Sequence, residues 1–193
     1  MTSTTRVPAV EITGPYGAVI TWFSKRMLGK VPESLGVAWN SPPILKFSLA
    51  LGQKARKWDA CDESLKSYAH MAVASLIGCS WCLDFGYFQA HDAGLDLVKA
   101  REVPRWREST VFSPLERRVL EYAEAMSATP PAVTDELSAA LLEDLGAPAL
   151  LELTARIGAM NMTARGNVAL GIRSQEFSAS CGLPPLAERV TAA

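Results

Sequence analysis

The chain has 193 residues, 49% of them hydrophobic, and a formal net charge of -1. That length and composition fit one domain with a full core, and a near-neutral chain without a Lys/Arg block excludes a nucleic-acid footprint. No uncharged run, Met71 to Leu83 included, is long enough to span a bilayer, and "MTSTTRVPAVEITGPYG" lacks the basic start and apolar stretch of a secretory signal.

The expectation is therefore a cytoplasmic protein with no membrane and no nucleic-acid partner. Residues 1–14 read as an N-terminal tail, 15–180 as one domain and 181–193 as a C-terminal tail. Helical spacing recurs along the chain and strand-like alternation is missing. Pro15 to Gly29 reads as a first helix, with Pro32 beyond its stop. "NSPPILKFSLALGQKARKW" opens on Asn40 or Ser41 as cap, with prolines in the first turn. "DESLKSYAHMAVASLIG" begins with acids, is apolar on nearly every side and ends at Gly78, the pattern of a buried central helix. Ser113-Pro114-Leu115-Glu116 is a capping box, after which Leu115, Val119, Tyr122 and Met126 mark one face. Thr134 caps a helix carrying Leu137, Leu141 and Leu145, and a long last helix runs from about Pro148 to Ile172. "SCGLPPLAERVTAA" reads as a loose tail. The fold class is all-α, a single-domain helical bundle packed around residues 63 to 93.

The chemistry concentrates in "LIGCSWCLDFGYFQAHDAGL", residues 76 to 95. Cys79 and Cys82 form a CxxC pair behind a helix-stopping glycine. A c-type haem requires histidine directly after the second cysteine, and residue 83 is Leu. Zinc requires a second knuckle, which leaves only distant Cys61 and Cys181 with two histidines, His70 and His91. A thioredoxin-like site requires a βαβ context, and the flanks here are helical. Two readings stay open: buried thiols acting as small hydrophobes, or a redox pair whose first cysteine lies at a helix N-terminus, where unpaired N–H groups favour a thiolate.

The stretch from 61 to 95, with its helix, "GCxxC" and second helix ending near "AGL", resembles the carboxymuconolactone decarboxylase family on its alkylhydroperoxidase-D-like side. "FSPLERRVLEYAEAMSATPPAVTDELSAALLED" and "LLELTARIGAMNMTARGNVALGI" resemble the later blocks of that family, and order and spacing agree from about residue 15 to 173. The resemblance implies an all-α homo-oligomer and a peroxidase-like thiol cycle. In it Cys82 attacks a hydroperoxide, Cys79 resolves the product as a disulfide, and a dithiol or lipoyl-protein reductant restores both. No cofactor and no metal are called for. The alternatives are a non-redox carboxymuconolactone decarboxylase-type enzyme on a small acid or lactone, disfavoured by the cysteine pair, or a catalytically impaired oligomeric binding protein.

The sequence departs from the family pattern in proton handling. The histidine expected four residues after the second cysteine is Gly86, and the glutamate expected twelve before the first is Ser67. His70 is the candidate substitute, one turn beyond Ser67 on the central helix. Gly86 either leaves a small pocket above the thiols or permits close helix packing. Asp84 reads as a first-turn dipole partner about 200° round the helix from Cys82, and His91 points away. Tyr68 and Tyr87 read as packing residues. Arg165, Asn161 and Asn167 interrupt the last apolar helix; a buried arginine calls for a carboxylate partner, here a structural or inter-subunit salt bridge in preference to an anchor for an anionic substrate. Cys61 and Cys181 read as structural or incidental.

Overall fold

The computed structural model describes residues 5–189 and is all-α; residues 1–4 and 190–193 of the two expected tails lie outside the described residues. The helices are α1 (Gly14–Leu28), α2 (Glu33–Ala38), α3 (Pro42–Ala55), α4 (Glu63–Ile77), α5 (Ser80–Asp92), α6 (Leu97–Glu102), α7 (Pro114–Ser127), α8 (Asp135–Leu170) and α9 (Phe177–Ser180). The expected stops and caps are present. Gly29 and Gly78 close α1 and α4 in the left-handed conformation that only glycine adopts freely. Asp62 accepts from the Ser64 and Leu65 amides at the start of α4. Ser113 and Glu116 complete the capping box of α7, and Thr134 caps α8. The two last helices expected from sequence join end to end in α8 across a break at Gly146, two residues before Pro148.

Helix α4 is the centre. Ala69, Met71, Ala72, Val73 and Ala74 are fully buried, and α5, α7 and α8 pack around them. The exception to its apolar character is Lys66, whose Nζ lies 2.7 Å from Glu152 Oε1 of α8 and 2.8 Å from the Trp58 carbonyl. Glu152 also accepts from the Ala60 amide at 2.7 Å. Burial alone would push the Glu152 carboxyl up, but Lys66 and the amide hold it below the usual range.

Both chain ends are better anchored than a tail reading suggests. The Arg6 amide donates to the Leu170 carbonyl at 2.8 Å, and its guanidinium reaches the Val168 and Ala169 carbonyls at the end of α8. Past Cys181, Leu183 and Leu186 pack on the core, the Ala187 amide donates to the Arg101 carbonyl at 3.0 Å, and Arg189 pairs with Glu124. The "loose" reading fails over 181–189 because its apolar and main-chain groups have partners that sequence spacing does not show. Arg165 corrects a second expectation. It is exposed and has no carboxylate partner among the described residues; its Nη2 donates to the Ser127 carbonyl at 2.6 Å, at the negative end of α7.

Helices α1 and α3 present an apolar surface. Tyr16, Val19, Trp22, Phe23 and Met27 on α1, with Ile44, Phe47 and Leu49 on α3, are all exposed. Gly17 of α1 packs close to Ile12 and Trp39 instead of meeting α4 or α8.

Because Lys66 is buried, removing Glu152 leaves its ammonium with only the Trp58 carbonyl and the solvent-exposed Glu63 carboxylate, 3.1 Å away. Glu152→Ala is expected to lower unfolding free energy by about 3–5 kcal/mol in urea titration, and Lys66→Met with Glu152→Leu to recover most of that loss.

Candidate functional site

Gly78 ends α4, and the chain turns at once into α5. The Cys79 amide donates back to the Ala74 carbonyl at 2.9 Å, which places Cys79 as the N-cap of α5. Its sulfur accepts the Cys82 amide at 3.3 Å, a role ordinarily taken by a Ser or Asp oxygen. Cys79 and Cys82 are joined as a disulfide with their Cα atoms 5.3 Å apart. Both residues are 1% exposed. The small loop closes readily because one turn of helix brings the two side chains to the same side.

From the far side comes α8. Asn167 Nδ2 lies 3.3 Å from Cys82 Sγ and 3.9 Å from Cys79 Sγ. Sequence reasoning grouped Asn167 with Arg165 and Asn161 as structural polar residues. No signal in spacing or composition singles it out, because its distinction from Asn161 lies in the two sulfurs that stand opposite it.

His70 sits on α4 against the bare face of α5. A Cβ at Gly86 would lie 3.0 Å from Met71 Cγ and 3.3 Å from His70 Cδ2. The glycine therefore serves close helix packing, and the space where the family carries a histidine is filled by Met71 and the His70 ring. Gly86, which that ring faces, lies one turn beyond Cys82 on α5, and among the described residues no hydrogen bond joins the ring to either sulfur. Burial, with a smaller push from the Arg156 charge, lowers His70 to about 4, so it is neutral at neutral pH. Ser67 is half-buried on the same helix and His91 is exposed.

Asp84 is a correction. It is not a first-turn dipole partner but a buried anchor for the segment after α8. Its carboxylate accepts from the Phe177 amide at 2.9 Å, the Ser178 amide at 2.9 Å and hydroxyl at 2.6 Å, and the Ser174 hydroxyl at 2.8 Å. Burial would raise its pKa, but these donors outweigh it and hold it below the ordinary value. The Ser174 amide meanwhile donates to Ser80 Oγ, between the two cysteines in sequence. Phe177 packs edge-on to Trp81 and Phe85 at 6.4 and 5.6 Å. Residues 172–178 thus form a strap along α5 with an aromatic wall of Trp81, Phe85, Phe88 and Phe177.

Of the other cysteines, Cys61 is a buried free thiol pushed up to about 11, by burial first and by Glu152 next. Cys181 is free and exposed. No helix among the described residues is long and apolar enough to cross a membrane.

Residues 42–125 match the carboxymuconolactone decarboxylase family. The chain is 35% identical over 165 residues to the uncharacterised protein YnjA of Escherichia coli (strain K12), covering 84% of this chain and 88% of that one. The chain belongs to the carboxymuconolactone decarboxylase family. Its fold is shared with the debrominase Bmp8 (TM-score 0.79, 19% identity, 91% of this chain and 95% of the other). It is also shared with an uncharacterised peroxidase-related protein from Silicibacter sp. TM1040 (TM-score 0.74, 18% identity, 92% and 97%). A protein from Agrobacterium tumefaciens described as AhpD-like shares it over 71% of this chain and 94% of its own (TM-score 0.65, 22% identity).

With His70 near 4 in the folded chain and about 6.5 unfolded, the unfolded state takes up the proton first as pH falls. Stability is therefore expected to drop from pH 6.5 down through 4. His70→Gln should flatten that part of the profile when unfolding is followed at a series of pH values.

Proposed function

We propose that the protein is a thiol-dependent oxidoreductase, of the peroxiredoxin-like type known from alkylhydroperoxidase D, that reduces a hydroperoxide through a Cys79–Cys82 disulfide cycle. The observation that carries this reading is the disulfide itself, formed at a helix start where one sulfur already accepts a main-chain N–H. Cys82 as thiolate attacks the distal oxygen of ROOH; the O–O bond breaks, Cys82 becomes a sulfenic acid and the alkoxide leaves as ROH with a proton. The Cys79 sulfur then displaces hydroxide from the sulfenic acid, forming the disulfide and water. A dithiol or lipoyl-protein reductant returns two electrons and two protons by exchange. His70, neutral and packed against Gly86 one turn beyond Cys82, is the imidazole that would take the Cys82 proton, although its lowered basicity makes it a weak acceptor. The bonded pair supports this cycle over a non-redox decarboxylase or an impaired binding protein.

A second reading, thiol-driven removal of halogen from a small aromatic, is favoured by the aromatic wall on the helix that carries Cys82 and by the likeness to a debrominase, a protein solved with 2,3,4-tribromopyrrole. The same thiolate would take the halogen as a sulfenyl halide, the carbon–halogen bond breaking and the ring carbon taking up a proton, and the Cys79 thiol would then displace halide and lose its proton on forming the disulfide.

The chain is further proposed to act as a homo-oligomer whose copies meet through α1 and α3. Their exposed side chains amount to roughly 800 Å² per copy, what one partner contributes to a standard interface, and a net charge of -1 sets up little repulsion between copies.

Steady-state consumption of cumene hydroperoxide with dithiothreitol is expected for the wild type and lost in Cys82→Ser. Cys79→Ser should stop after one turnover with a trapped sulfenic acid, and His70→Gln should cut the rate about tenfold or more. Failure of the wild type with every hydroperoxide, alongside bromide release from a polybrominated pyrrole, would move the second reading ahead.

Light scattering at micromolar concentration is expected to give a multiple of the 20.8 kDa chain mass. Trp22→Glu with Phe47→Glu should reduce it towards the monomer.

A further inference from the structure

We propose that Asn167 is a catalytic residue of the dithiol site: its side-chain amide stabilises Cys82 as a thiolate and so selects Cys82 as the attacking sulfur. The proposal rests on the thiol-oxidoreductase reading above. Helix geometry alone favours the other cysteine, because Cys79 is the N-cap of α5 and receives the Cys82 amide. Asn167 tips the balance from the opposite side. Its Nδ2 is closer to Cys82 Sγ, at 3.3 Å, than to Cys79 Sγ, at 3.9 Å. Among the described residues no other side chain donates a hydrogen bond to either sulfur.

The surroundings make such a donor necessary. A thiolate without donors in a buried site is disfavoured, and the molecule contains that case: Cys61, also buried, is pushed up to about 11. Positions 67 and 86 supply no acid or imidazole, since Ser67 and Gly86 stand there. An N–H donated to a sulfur anion is charge-assisted, stronger than the same bond to a neutral thiol, and therefore lowers the thiol pKa. The amide takes no proton; the proton departs to solvent or to His70.

The position of the amide is fixed by distant parts of the chain. Asn167 lies in the last turn of α8, a place where helices ordinarily fray. Here its own carbonyl accepts the Ile172 amide at 2.9 Å, and Arg6 braces the next two carbonyls. The Arg6 charge has a second effect. The C-terminal end of α8 is the negative end of a helix dipole and would oppose an anion nearby; a guanidinium on those carbonyls offsets it. Arg6 is on this account a positioning residue.

The test is titration of the reduced thiols by iodoacetamide alkylation with peptide mapping across pH. With the native asparagine, Cys82 in a Cys79→Ser protein is expected to titrate below Cys79 in a Cys82→Ser protein. In the Cys79→Ser background, Asn167→Ala should raise the Cys82 pKa by about one unit, leaving roughly tenfold less thiolate at a given pH below it. The isosteric Asn167→Asp should raise it further, because a carboxylate replaces the donor. Cys79 proving the more acidic thiol, or Cys82 titrating alike with Asn, Ala and Asp, would overturn the assignment; the first comparison needs no variant at 167. Shifted pKa values in a protein that consumes no hydroperoxide would leave Asn167 in its role and remove only the substrate reading, whereas turnover with unshifted values would remove Asn167 alone.

Discussion

Burial of most of α4 is the constraint on which the rest of the structure depends. A helix buried over most of its surface must be covered by several others at once, and that is possible only where its side chains are small or flat enough to let them in. Ala69, Ala72 and Ala74 provide this, and Gly86 on α5 does the same from the facing side, where Met71 and His70 leave no room for a Cβ without displacement. The polar groups carried into that interior are then obliged to find partners. Lys66 meets Glu152, which ties α4 to α8 across 86 residues of sequence. The same constraint fixes the site. The helix stops at Gly78, whose left-handed conformation closes it, and the next residue is already the cap of α5.

The two sulfurs consequently lie where the start of α5 meets the end of α8. These are opposite ends of two helix dipoles, one favouring a thiolate and one opposing it. The arrangement around them follows from that conflict. Main-chain N–H density falls on Cys79, the Asn167 amide falls mainly on Cys82, and Arg6 covers the carbonyls that would repel an anion. Gly86, where the resemblance led to the expectation of a histidine, thus goes with closer helix packing and with a donor brought in from α8.

Much of this was legible in the sequence because it is local. Gly78, the Ser113–Glu116 box, Thr134 and the long apolar stretch of α4 each act within a few residues, and each appears where spacing placed it. The CxxC pair was legible for the same reason, since a disulfide between residues one turn apart depends on little else. What the sequence hid depends on long-range contact. Arg6 and Leu170 are neighbours only after folding. Arg165 was expected to be buried with a carboxylate, but the helix turns it outward to the exposed carbonyl end of α7. Asn161, from the same polar group, donates to Ser127 Oγ instead. The short α2 and α6 carry too few residues to show a period. Asn167 differs from Asn161 only in what stands opposite it, and composition and spacing contain no trace of that.

Asp84 shows how a hazardous neighbour is made harmless. A carboxylate two residues after Cys82 would raise the pKa of a thiol there if its charge were free to act on the sulfur. The helix sends it about 200° round, away from Cys82. There four N–H and O–H donors from residues 174–178 surround it, so its charge is met by the strap's own dipoles. The strap gains a fixed seat on α5 by the same contacts, and that seat presses Phe177 against Trp81 and Phe85. An Asn at 84 would remove the charge but would also have to turn one donor toward donors. A carboxylate, which only accepts, is the group that suits four converging donors. The anion therefore sits close to the disulfide because the strap requires it, and the strap in turn satisfies its charge on the side of α5 away from Cys82.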